Sequence, residues 1–364
     1  MTTPPPFRAD HVGSLLRPPE LRDARLQAKS GELSLGAFKA IEQRCIREVI
    51  ARQQAIGLRG ITDGEFSRDW WHLDFLAGID GVELRASTTL RFEGVDDIPP
   101  TPAVSGKLRA LKPNMIDAFN FLKSATTGTP KFTIPSPSML HMRGGRNAIS
   151  REAYPDIDLF WADAASAYRD AIGQFAASGC TYLQLDDVSF SYLCDEKFRA
   201  SARNNGDDPA ALPRTYAAAI NAALRNRPTG MAVTMHTCRG NFRSTWVAAS
   251  PYDNAVMEAM FSTDVDAFFM EFDSDRAGGF ETLRLLPRGK KVVLGLVTTK
   301  LGTLETKDDL KRRIDAAAKI VPLEDLCLSP QCGFASTHHG NALSYDEQWR
   351  KLERVVEVAR EVWG

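Results

Sequence analysis

The stretch VTMHTCRGN, residues 233–241, begins as an apolar run and turns polar within a few positions. Its first residues favour a buried strand, because β-branched Val and Thr pack well on a pleated surface. His236 and Cys238 are two positions apart, so on a strand their side chains face the same side. Both are zinc-ligand types, but a tetrahedral site needs four ligands. The pair alone predicts either half of a metal site or a core histidine beside a buried thiol.

Seven further runs have the same form, an apolar stretch that ends abruptly in polar residues. These runs are FRADHVGS (7–14), GLRGITDGEF (57–66), PKFTIPSPS (130–138), CTYLQLDDV (180–188), VDAFFMEFD (265–273), KKVVLGLVTTK (290–300) and EDLCLSPQCGF (324–334). Apolar positions at helical spacing predict helices at 36–56, 158–179, 213–228, 307–322 and 344–364. The alternation of strands and helices predicts an α/β fold with a parallel sheet, and eight strands predict a (β/α)8 TIM barrel.

The chain of 364 residues exceeds the roughly 250 residues of a typical TIM barrel. The excess lies mainly between the second and third predicted strands. Within it, VELRASTTLRFEGVDDIPPTPAVSGKLRA (82–110) is typical of a β-hairpin, and a helix is predicted near PNMIDAFNFLKSA (113–125). We therefore expect a single barrel domain, residues 1–364, with this hairpin and helix as an insertion at about 67–129.

The composition is that of an ordinary globular protein and excludes several classes of function. Hydrophobic residues make up 43% and charged residues 25% of the chain, so a large core can form. The formal net charge is −1 and no basic block occurs, so we expect no nucleic-acid partner. No run approaches the roughly 20 apolar residues of a membrane span, and the start lacks the pattern of a secretory signal. These features predict a soluble, cytoplasmic protein without a membrane partner and leave room for a homo-oligomer.

Six scattered cysteines make disulfides improbable in that compartment, so an unusual cysteine is better interpreted as a ligand, a nucleophile or core filler. In a TIM barrel the polar strand ends converge on one mouth. Glu271 stands in the otherwise apolar FFMEFD, where an unpaired charge is costly, and Cys332 follows a strand in SPQCGF. With His236 and Cys238 they complete a zinc set of one nitrogen, one oxygen and two sulfur ligands. The alternative for Glu271 is an ion pair with a neighbouring arginine, whereas Cys327, within its strand, is expected in the core.

The segments DHVGS, ITDGEF, YLQLDD, MHTCRGN, FFMEFD and LSPQCGF, in this order, resemble the catalytic barrel of cobalamin-independent methionine synthase. The resemblance covers nearly the whole chain and is closest to the short members that have one barrel. It implies a zinc ion that binds the thiol of homocysteine and is held by His236, Cys238, Glu271 and Cys332. Coordination deprotonates the thiol, and the thiolate attacks an activated methyl group to form methionine.

The resemblance also implies how the two ends of the amino acid are held. Glu65 and Asp186 would face the ammonium group, and Gly13 and Ser14 would offer donors to the carboxylate. The residue types agree with this, because acids at strand ends suit a cation and a Gly-Ser turn suits an anion. Two alternatives stay open: one of Asp186 and Asp187 caps the following loop, and Ser14 is only a turn residue.

One departure from the family leaves the methyl donor open. Long members carry an Asp-x-His pair after strand seven, whereas this chain has Thr298 and Lys300 in LVTTKLG. A lysine with an ordinary pKa of about 10.4 is a poor acid at neutral pH unless burial lowers that pKa. Lys300 is therefore a candidate catalytic residue whose role depends on its surroundings. The donor is methyltetrahydrofolate, a methylcorrinoid or another activated methyl compound.

Three other functions fit parts of the pattern. An epoxyalkane:coenzyme M transferase would share the zinc barrel, but coenzyme M has no ammonium group for Glu65 and Asp186. A zinc-free lyase on a similar barrel, such as uroporphyrinogen decarboxylase, would leave four ligand-type residues unexplained. A binding protein with structural zinc would have four fixed ligands and no turnover. We therefore expect a zinc-dependent methyltransferase whose acceptor is homocysteine or another small thiol.

Overall fold

A computed structural model describes residues 4–86, 99–109, 111–241, 247–335 and 337–364 of the chain. The nine strands in these ranges are β1 Gly60–Ile61, β2 Val82–Arg85, β3 Thr101–Val104, β4 Thr129–Pro135, β5 Tyr182–Asp187, β6 Ala232–Thr237, β7 Ala267–Glu271, β8 Lys291–Val297 and β9 Leu326–Pro330. Seven of them form one curled parallel sheet in the order β1-β4-β5-β6-β7-β8-β9, and β2 pairs with β3 in a separate antiparallel ribbon. The predicted α/β fold with a parallel sheet is confirmed.

Eleven α-helices lie in the same ranges and alternate with the strands of the main sheet. They are α1 Pro19–Ser30, α2 Leu35–Ile56, α3 Leu73–Leu76, α4 Asn114–Ala125, α5 Ile157–Ala177, α6 Ser189–Leu193, α7 Glu196–Asn204, α8 Leu212–Leu224, α9 Asn254–Phe261, α10 Lys307–Ala318 and α11 Tyr345–Trp363. The predicted helices correspond to α2, α4, α5, α8, α10 and α11. No helix within the described ranges is both long and apolar enough to cross a membrane.

Local signals mark where several helices begin and end. Ser34 accepts a hydrogen bond from the Ala37 amide at the start of α2, and Gly57 ends that helix in a left-handed conformation. At the start of α11, Ser344 and Glu347 form a capping box, and Ser344 is the first residue of the range predicted for this helix. Each signal involves residues a few positions apart, which is why the sequence reveals it.

The parallel register brings the polar strand ends to one side of the sheet. Asp186 of β5 lies opposite His236 of β6, and Glu271 of β7 lies opposite Gly295 of β8. Because all seven strands run in one direction, their carboxyl ends meet at the same edge. The loops that follow these ends, together with the amino-terminal loop beside them, are called the rim below. The rim carries the candidate site, as a barrel-like α/β fold predicts.

The second predicted strand, 57–66, is much shorter in the structure. β1 covers Gly60–Ile61 alone, and the chain then turns. Gly64 and Glu65 have φ angles of 68° and 60°, in the left-handed region. Such angles interrupt an extended conformation, so the polar residues that follow β1 belong to a turn.

The first predicted strand, 7–14, forms a single bridge. Ala9 pairs in parallel with Leu328 of β9, outside any regular strand. On its other side, a His11 ring nitrogen lies 3.2 Å from the carbonyl of Gly60 in β1. The segment therefore lies between the two edge strands of the sheet. Among the described residues, the main sheet has seven regular strands where the sequence predicts eight.

The segment between β1 and β4 contains the paired strands and the helix expected for 67–129. Val82 of β2 lies opposite Val104 of β3, and the residues that join them, 87–98, lie outside the described ranges. The helix α4 contacts α2, α5 and β4, so it lies in the helix layer that covers the sheet. The helix α4 therefore belongs to that layer, whereas an inserted element would lie outside it.

A buried ion pair lies inside the sheet, next to the amino-terminal segment. The Lys131 ammonium of β4 is 3.1 Å from Asp10 Oδ1, and both side chains are fully buried. The Tyr182 hydroxyl donates to the other Asp10 oxygen over 2.8 Å. The Lys131 ammonium also lies 4.0 Å from the centre of the Phe269 ring, in a cation–π contact. These contacts link the amino-terminal segment to β4, β5 and β7.

We expect Asp10→Ala to lower the free energy of unfolding by about 3–5 kcal/mol, because it leaves the Lys131 charge buried without a carboxylate partner. Denaturant titration measures the change. Glu353→Ala is the matched control, since it removes only an exposed ion pair with Arg52 on the surface of α11. Equal effects of the two substitutions, or no effect of Asp10→Ala, contradict the prediction.

Candidate metal centre

Four side chains from the ends of three strands converge at the rim. His236 lies near the end of β6, Cys238 follows that strand, Glu271 ends β7 and Cys332 follows β9. Their ligand atoms all lie within 4.8 Å of one another. His236, Glu271 and Cys332 are buried, and Cys238 is partly exposed. The four residues that the sequence predicts as a zinc set therefore form one group, called the ligand cluster below.

The spacing and chemistry of the cluster fit a tetrahedral zinc ion. The sulfur atoms of Cys238 and Cys332 are 3.7 Å apart. Two sulfur ligands that are each about 2.3 Å from zinc lie about 3.8 Å apart at tetrahedral angles. Within the described ranges, neither ring nitrogen of the buried His236 makes a hydrogen bond of regular geometry. Although burial lowers the pKa of His236, contact with the Cys332 sulfur raises it to about 9. Burying ring nitrogens without good hydrogen bonds costs free energy, and coordination of a metal ion by one of them would reduce that cost. A metal ion therefore suits the site.

The Glu271 carboxylate is held by three donors from outside the cluster. Its Oε1 accepts hydrogen bonds from the Arg239 amide over 3.0 Å and from the Asn241 side chain over 2.6 Å. Its Oε2 accepts one from the Gln331 side chain over 2.9 Å. Outer partners of this kind fix the orientation of a metal-binding carboxylate. Arg239 donates here through its backbone, so these contacts are not the side-chain ion pair considered as an alternative.

The cluster places three groups that become negative on ionisation, Glu271, Cys238 and Cys332, close together in a buried region. Burial raises the pKa of Glu271 to about 7. Contact between the two thiols lowers the pKa of Cys332 and raises that of Cys238, so the pair favours one thiolate and one thiol. A divalent cation would allow both to ionise, because metal binding displaces ligand protons. The charge pattern thus agrees with the geometry.

A small cavity opens beside the ligand cluster. Its walls are formed by Val12, Ser14, Glu65, Trp71, Asp186, His236, Cys238, Cys332 and Gly333. The space inside it that the centre of a water molecule can occupy is about 30 Å³. The cavity brings three cluster residues together with three of the four residues that the sequence predicts at the ends of the substrate.

Glu65 reaches this cavity from the turn after β1. Its φ of 60° is unfavourable for a residue that has a side chain. The Glu65 amide donates to Asp63 Oδ1 over 2.8 Å, and the Thr133 hydroxyl donates to Glu65 Oε1 over 3.1 Å. The other oxygen, Oε2, is buried and has no partner among the described residues. Burial raises the pKa of Glu65 to about 7, and a cationic ligand would lower it again.

The two adjacent acids of β5 have different surroundings. Asp187 accepts hydrogen bonds from the Ser189 amide over 2.6 Å and the Phe190 amide over 3.2 Å, so it caps the following turn. Asp186 lines the cavity and accepts a hydrogen bond from Gln184 over 2.7 Å. Burial raises the pKa of Asp186 to about 6. Asp187 therefore caps the turn, and Asp186 faces the cavity.

Gly13 and Ser14 bring the amino-terminal segment to the same place. Gly13 has a φ of 146°, and a β-carbon there would lie 2.9 Å from Thr133 Cγ2, so the position favours glycine. Ser14 is buried and lines the cavity. Its carbonyl accepts a hydrogen bond from the Phe334 amide over 2.9 Å, which ties Ser14 to the loop that carries Cys332.

Lys300 lies beside the cluster and, within the described ranges, is not part of the cavity wall. Its ammonium is 4.0 Å from Asp273 Oδ2, and both side chains are almost fully buried. Burial lowers the pKa of Lys300, although Glu271 and Asp273 oppose the shift. The Thr298 hydroxyl donates to Gln331 Oε1 over 2.9 Å, which connects this loop to the support of Glu271.

Sequence reasoning missed Gln331, Asn241 and Thr133, although each contacts a residue of the candidate site. Gln331 directly precedes Cys332, and Asn241 follows Cys238 by three positions. A search for amide side chains next to candidate ligands would have found both. Thr133 donates to a carboxylate 68 positions away in the chain, and no local spacing indicates that contact.

Comparison with known proteins decides the family. Residues 7–361 match the family described as the cobalamin-independent synthase, catalytic domain. The chain belongs to this family. The uncharacterized protein YxjH of Bacillus subtilis is 44% identical over 361 residues, which make up 98% of this chain and 95% of that protein. The resemblance to cobalamin-independent methionine synthase is thereby confirmed at the level of the family.

The named proteins that this chain resembles differ in length. A candidate vitamin-B12-independent methionine synthase of Listeria monocytogenes, a solved structure, has a TM-score of 0.78, 38% identity and full coverage of both chains. A 5-methyltetrahydropteroyltriglutamate–homocysteine methyltransferase of Ralstonia pickettii is 22% identical over 323 residues. That match covers 88% of this chain but 38% of the Ralstonia enzyme. The chain therefore spans well under half the length of this named methyltransferase.

We expect the protein to bind one zinc ion per chain and Cys332→Ser to weaken that binding by more than about 100-fold. A hydroxyl does not replace a thiolate ligand at neutral pH, and even loss of an outer partner costs about 10–100-fold. Competition with a chromophoric chelator measures the affinity. Cys194→Ser is the control, because this thiol lies outside the cluster and accepts a hydrogen bond from the Asp253 amide. Unchanged zinc affinity in Cys332→Ser contradicts the assignment.

Proposed function

We propose that this protein is a zinc-dependent methyltransferase that moves a methyl group to the thiol of homocysteine and forms methionine. The observation that carries the proposal is one cavity in which sulfur and nitrogen ligands meet two buried acids suited to an ammonium group. Membership of the cobalamin-independent synthase family supports it, as does the name of the Ralstonia relative. Another small thiol with an ammonium group would fit the same chemistry.

The metal would be held by the ligand cluster: His236, Cys238, Glu271 and Cys332. Bound there, zinc supplies the Lewis acidity that favours a substrate thiolate at neutral pH. The two Cys thiolates and the Glu271 carboxylate carry three negative charges against the two positive charges of the ion. This excess keeps the substrate sulfur electron-rich and therefore nucleophilic. Gln331 holds the Glu271 carboxylate in its orientation through the hydrogen bond to Oε2.

The remaining cavity residues hold the two ends of the amino acid. Glu65 and Asp186 accept the ammonium group, and the buried Glu65 Oε2 gains a donor, which none of the described residues supplies. Gly13 and Ser14 offer backbone and hydroxyl donors to the carboxylate. Trp71, which is half-buried, forms part of the cavity wall beside these groups.

The methyl donor is methyltetrahydrofolate or a methylcorrinoid. With either donor, the bond from sulfur to the methyl carbon forms as the donor's bond to that carbon breaks, and the electron pair stays with the donor. A folate nitrogen then takes up a proton, whereas a corrinoid cobalt does not need one. Lys300 is the candidate acid for that proton, since burial lowers its pKa.

The alternative is alkyl transfer to coenzyme M in a zinc site of the same kind. Coenzyme M has a sulfonate and no ammonium group, so it would leave Glu65 and Asp186 without the cationic ligand that they are suited to hold. The cost of burying acids in that way favours homocysteine.

We also propose that the fold is a single (β/α)8 barrel over residues 1–364, with the amino-terminal segment 7–14 in the place of the first strand. Its position between β9 and β1 supports this closure. Since α4 lies in the helix layer, the insertion at 67–129 would consist of the residues before that helix.

We expect Glu65→Gln to keep zinc but to weaken L-homocysteine binding about tenfold or more at pH 8, because it removes a negative charge that faces the ammonium group. Burial raises the pKa of Glu65 to about 7, so the carboxyl is mostly protonated below that pH and ionised above it. The wild-type affinity should therefore rise from pH 6 to pH 8 more steeply than that of Glu65→Gln. Calorimetric titration of the two zinc-loaded proteins measures both effects. Unchanged affinity at pH 8 removes Glu65 from the site.

The reaction is tested with zinc-loaded protein, L-homocysteine and either monoglutamyl methyltetrahydrofolate or methylcobalamin, with methionine measured by mass spectrometry. We expect methionine from at least one donor. If folate is a donor, Lys300→Met should slow that reaction about 100-fold or more and leave any methylcobalamin reaction unchanged. Turnover with methylcobalamin alone assigns the donor to the corrinoids. If neither donor yields methionine, the proposed reaction is contradicted. The metal site is tested separately by the measurement of zinc affinity.

A further inference from the structure

The guanidinium of Arg17 is buried between loops of the rim. The side chain is 4% exposed. Nη2 donates to the Glu65 and Arg68 carbonyls over 2.9 and 3.1 Å, in the turn after β1. Nη1 donates to the Ala335 and Thr337 carbonyls over 3.2 and 3.1 Å, in the loop after β9. All four terminal N–H groups therefore have backbone acceptors, and they are shared between two loops.

The loops that Arg17 joins carry the groups of the candidate site. Arg17 itself follows Ser14, which lines the cavity from the amino-terminal segment. The turn after β1 carries Glu65, and the loop after β9 carries Cys332. One side chain thus connects the carboxylate that faces the substrate ammonium group with the loop of a metal ligand. The contact spans 318 positions of the chain on one side and 48 on the other.

The backbone of Glu65 requires such a support. A φ of 60° is disfavoured for a residue with a side chain, and surrounding contacts must hold it. The Glu65 amide donates to Asp63, and the Glu65 carbonyl accepts from Arg17, so both backbone groups are fixed. This conformation directs the side chain toward Thr133 and into the cavity.

We propose that Arg17 is a positioning residue for the substrate ammonium group: it holds the Glu65 turn against the loop after β9, so that the Glu65 carboxylate lies beside the ligand cluster. The inference rests on the proposed function, because it takes the ammonium group of homocysteine as the ligand of Glu65. A lysine at position 17 would keep the charge, but a single ammonium cannot span four carbonyls in two loops as the planar guanidinium does.

The test compares two thiols that differ only in the amino group. Zinc-loaded wild-type protein and Arg17→Lys are titrated with L-homocysteine and with 4-mercaptobutanoate, which is homocysteine without its amino group. We expect Arg17→Lys to weaken homocysteine binding about tenfold or more and to change 4-mercaptobutanoate binding by less than about twofold. Arg22→Lys is the matched control, because Arg22 is exposed on α1. In a Glu65→Gln background, Arg17→Lys should cause no further loss of homocysteine affinity.

The outcomes separate this inference from the proposed function. If Arg17→Lys weakens the binding of both thiols equally, the substitution loosens the rim in general and the inference is overturned. The inference is also overturned if Arg17→Lys binds homocysteine in preference to 4-mercaptobutanoate as strongly as the wild type does. Equal affinity of the wild type for both thiols overturns the ammonium site itself, on which the proposed function and this inference both depend. If Arg17→Lys does not fold, Arg17→Gln supplies the test, because one side-chain amide has two N–H groups and cannot reach four carbonyls in two loops. The same selective loss is expected there, and no loss overturns the inference.

Discussion

The burial of Glu271 is the constraint on which the site depends. A carboxylate at the end of an apolar strand, with none of its surface exposed, must find its donors and its counter-charge inside the protein. Three N–H groups from the loops after β6 and β9 satisfy its oxygens. The same two loops carry Cys238 and Cys332. Satisfying one buried acid thus brings the two thiols to a separation of 3.7 Å, the spacing that a tetrahedral zinc ion needs.

Burial has a second consequence for the charge of the cavity. The pKa values of Glu271, Glu65 and Asp186 are all raised by burial, to about 7, 7 and 6. Each acid ionises more fully when a cation lies beside it. A divalent ion at the ligand cluster would favour ionisation of Glu271, and an ammonium group would favour ionisation of Glu65 and Asp186. The chemistry of homocysteine, a thiol and an ammonium group on one small molecule, matches the two halves of the cavity.

Much of the fold and of the candidate site could be predicted from the sequence, because both leave local signals. Apolar runs with polar ends indicate β4 to β9, and the four ligand residues stand at or just beyond such ends. The helix α1 leaves no such signal, because only Leu21 and Ala24 of its twelve residues are buried and no broad apolar stripe marks it. The second predicted strand is shortened by the left-handed φ angles of Gly64 and Glu65. The hydrogen bonds of Arg17 join residues far apart in the chain, which no local pattern encodes.

Zinc K-edge X-ray absorption of the zinc-loaded protein, with and without L-homocysteine, tests the central claim most directly. Without substrate, the ion should have two sulfur ligands at about 2.3 Å and two nitrogen or oxygen ligands. With saturating L-homocysteine, the number of sulfur ligands should rise from two to three. A count that stays at two with homocysteine bound, or zinc without sulfur ligands in the free protein, contradicts the account.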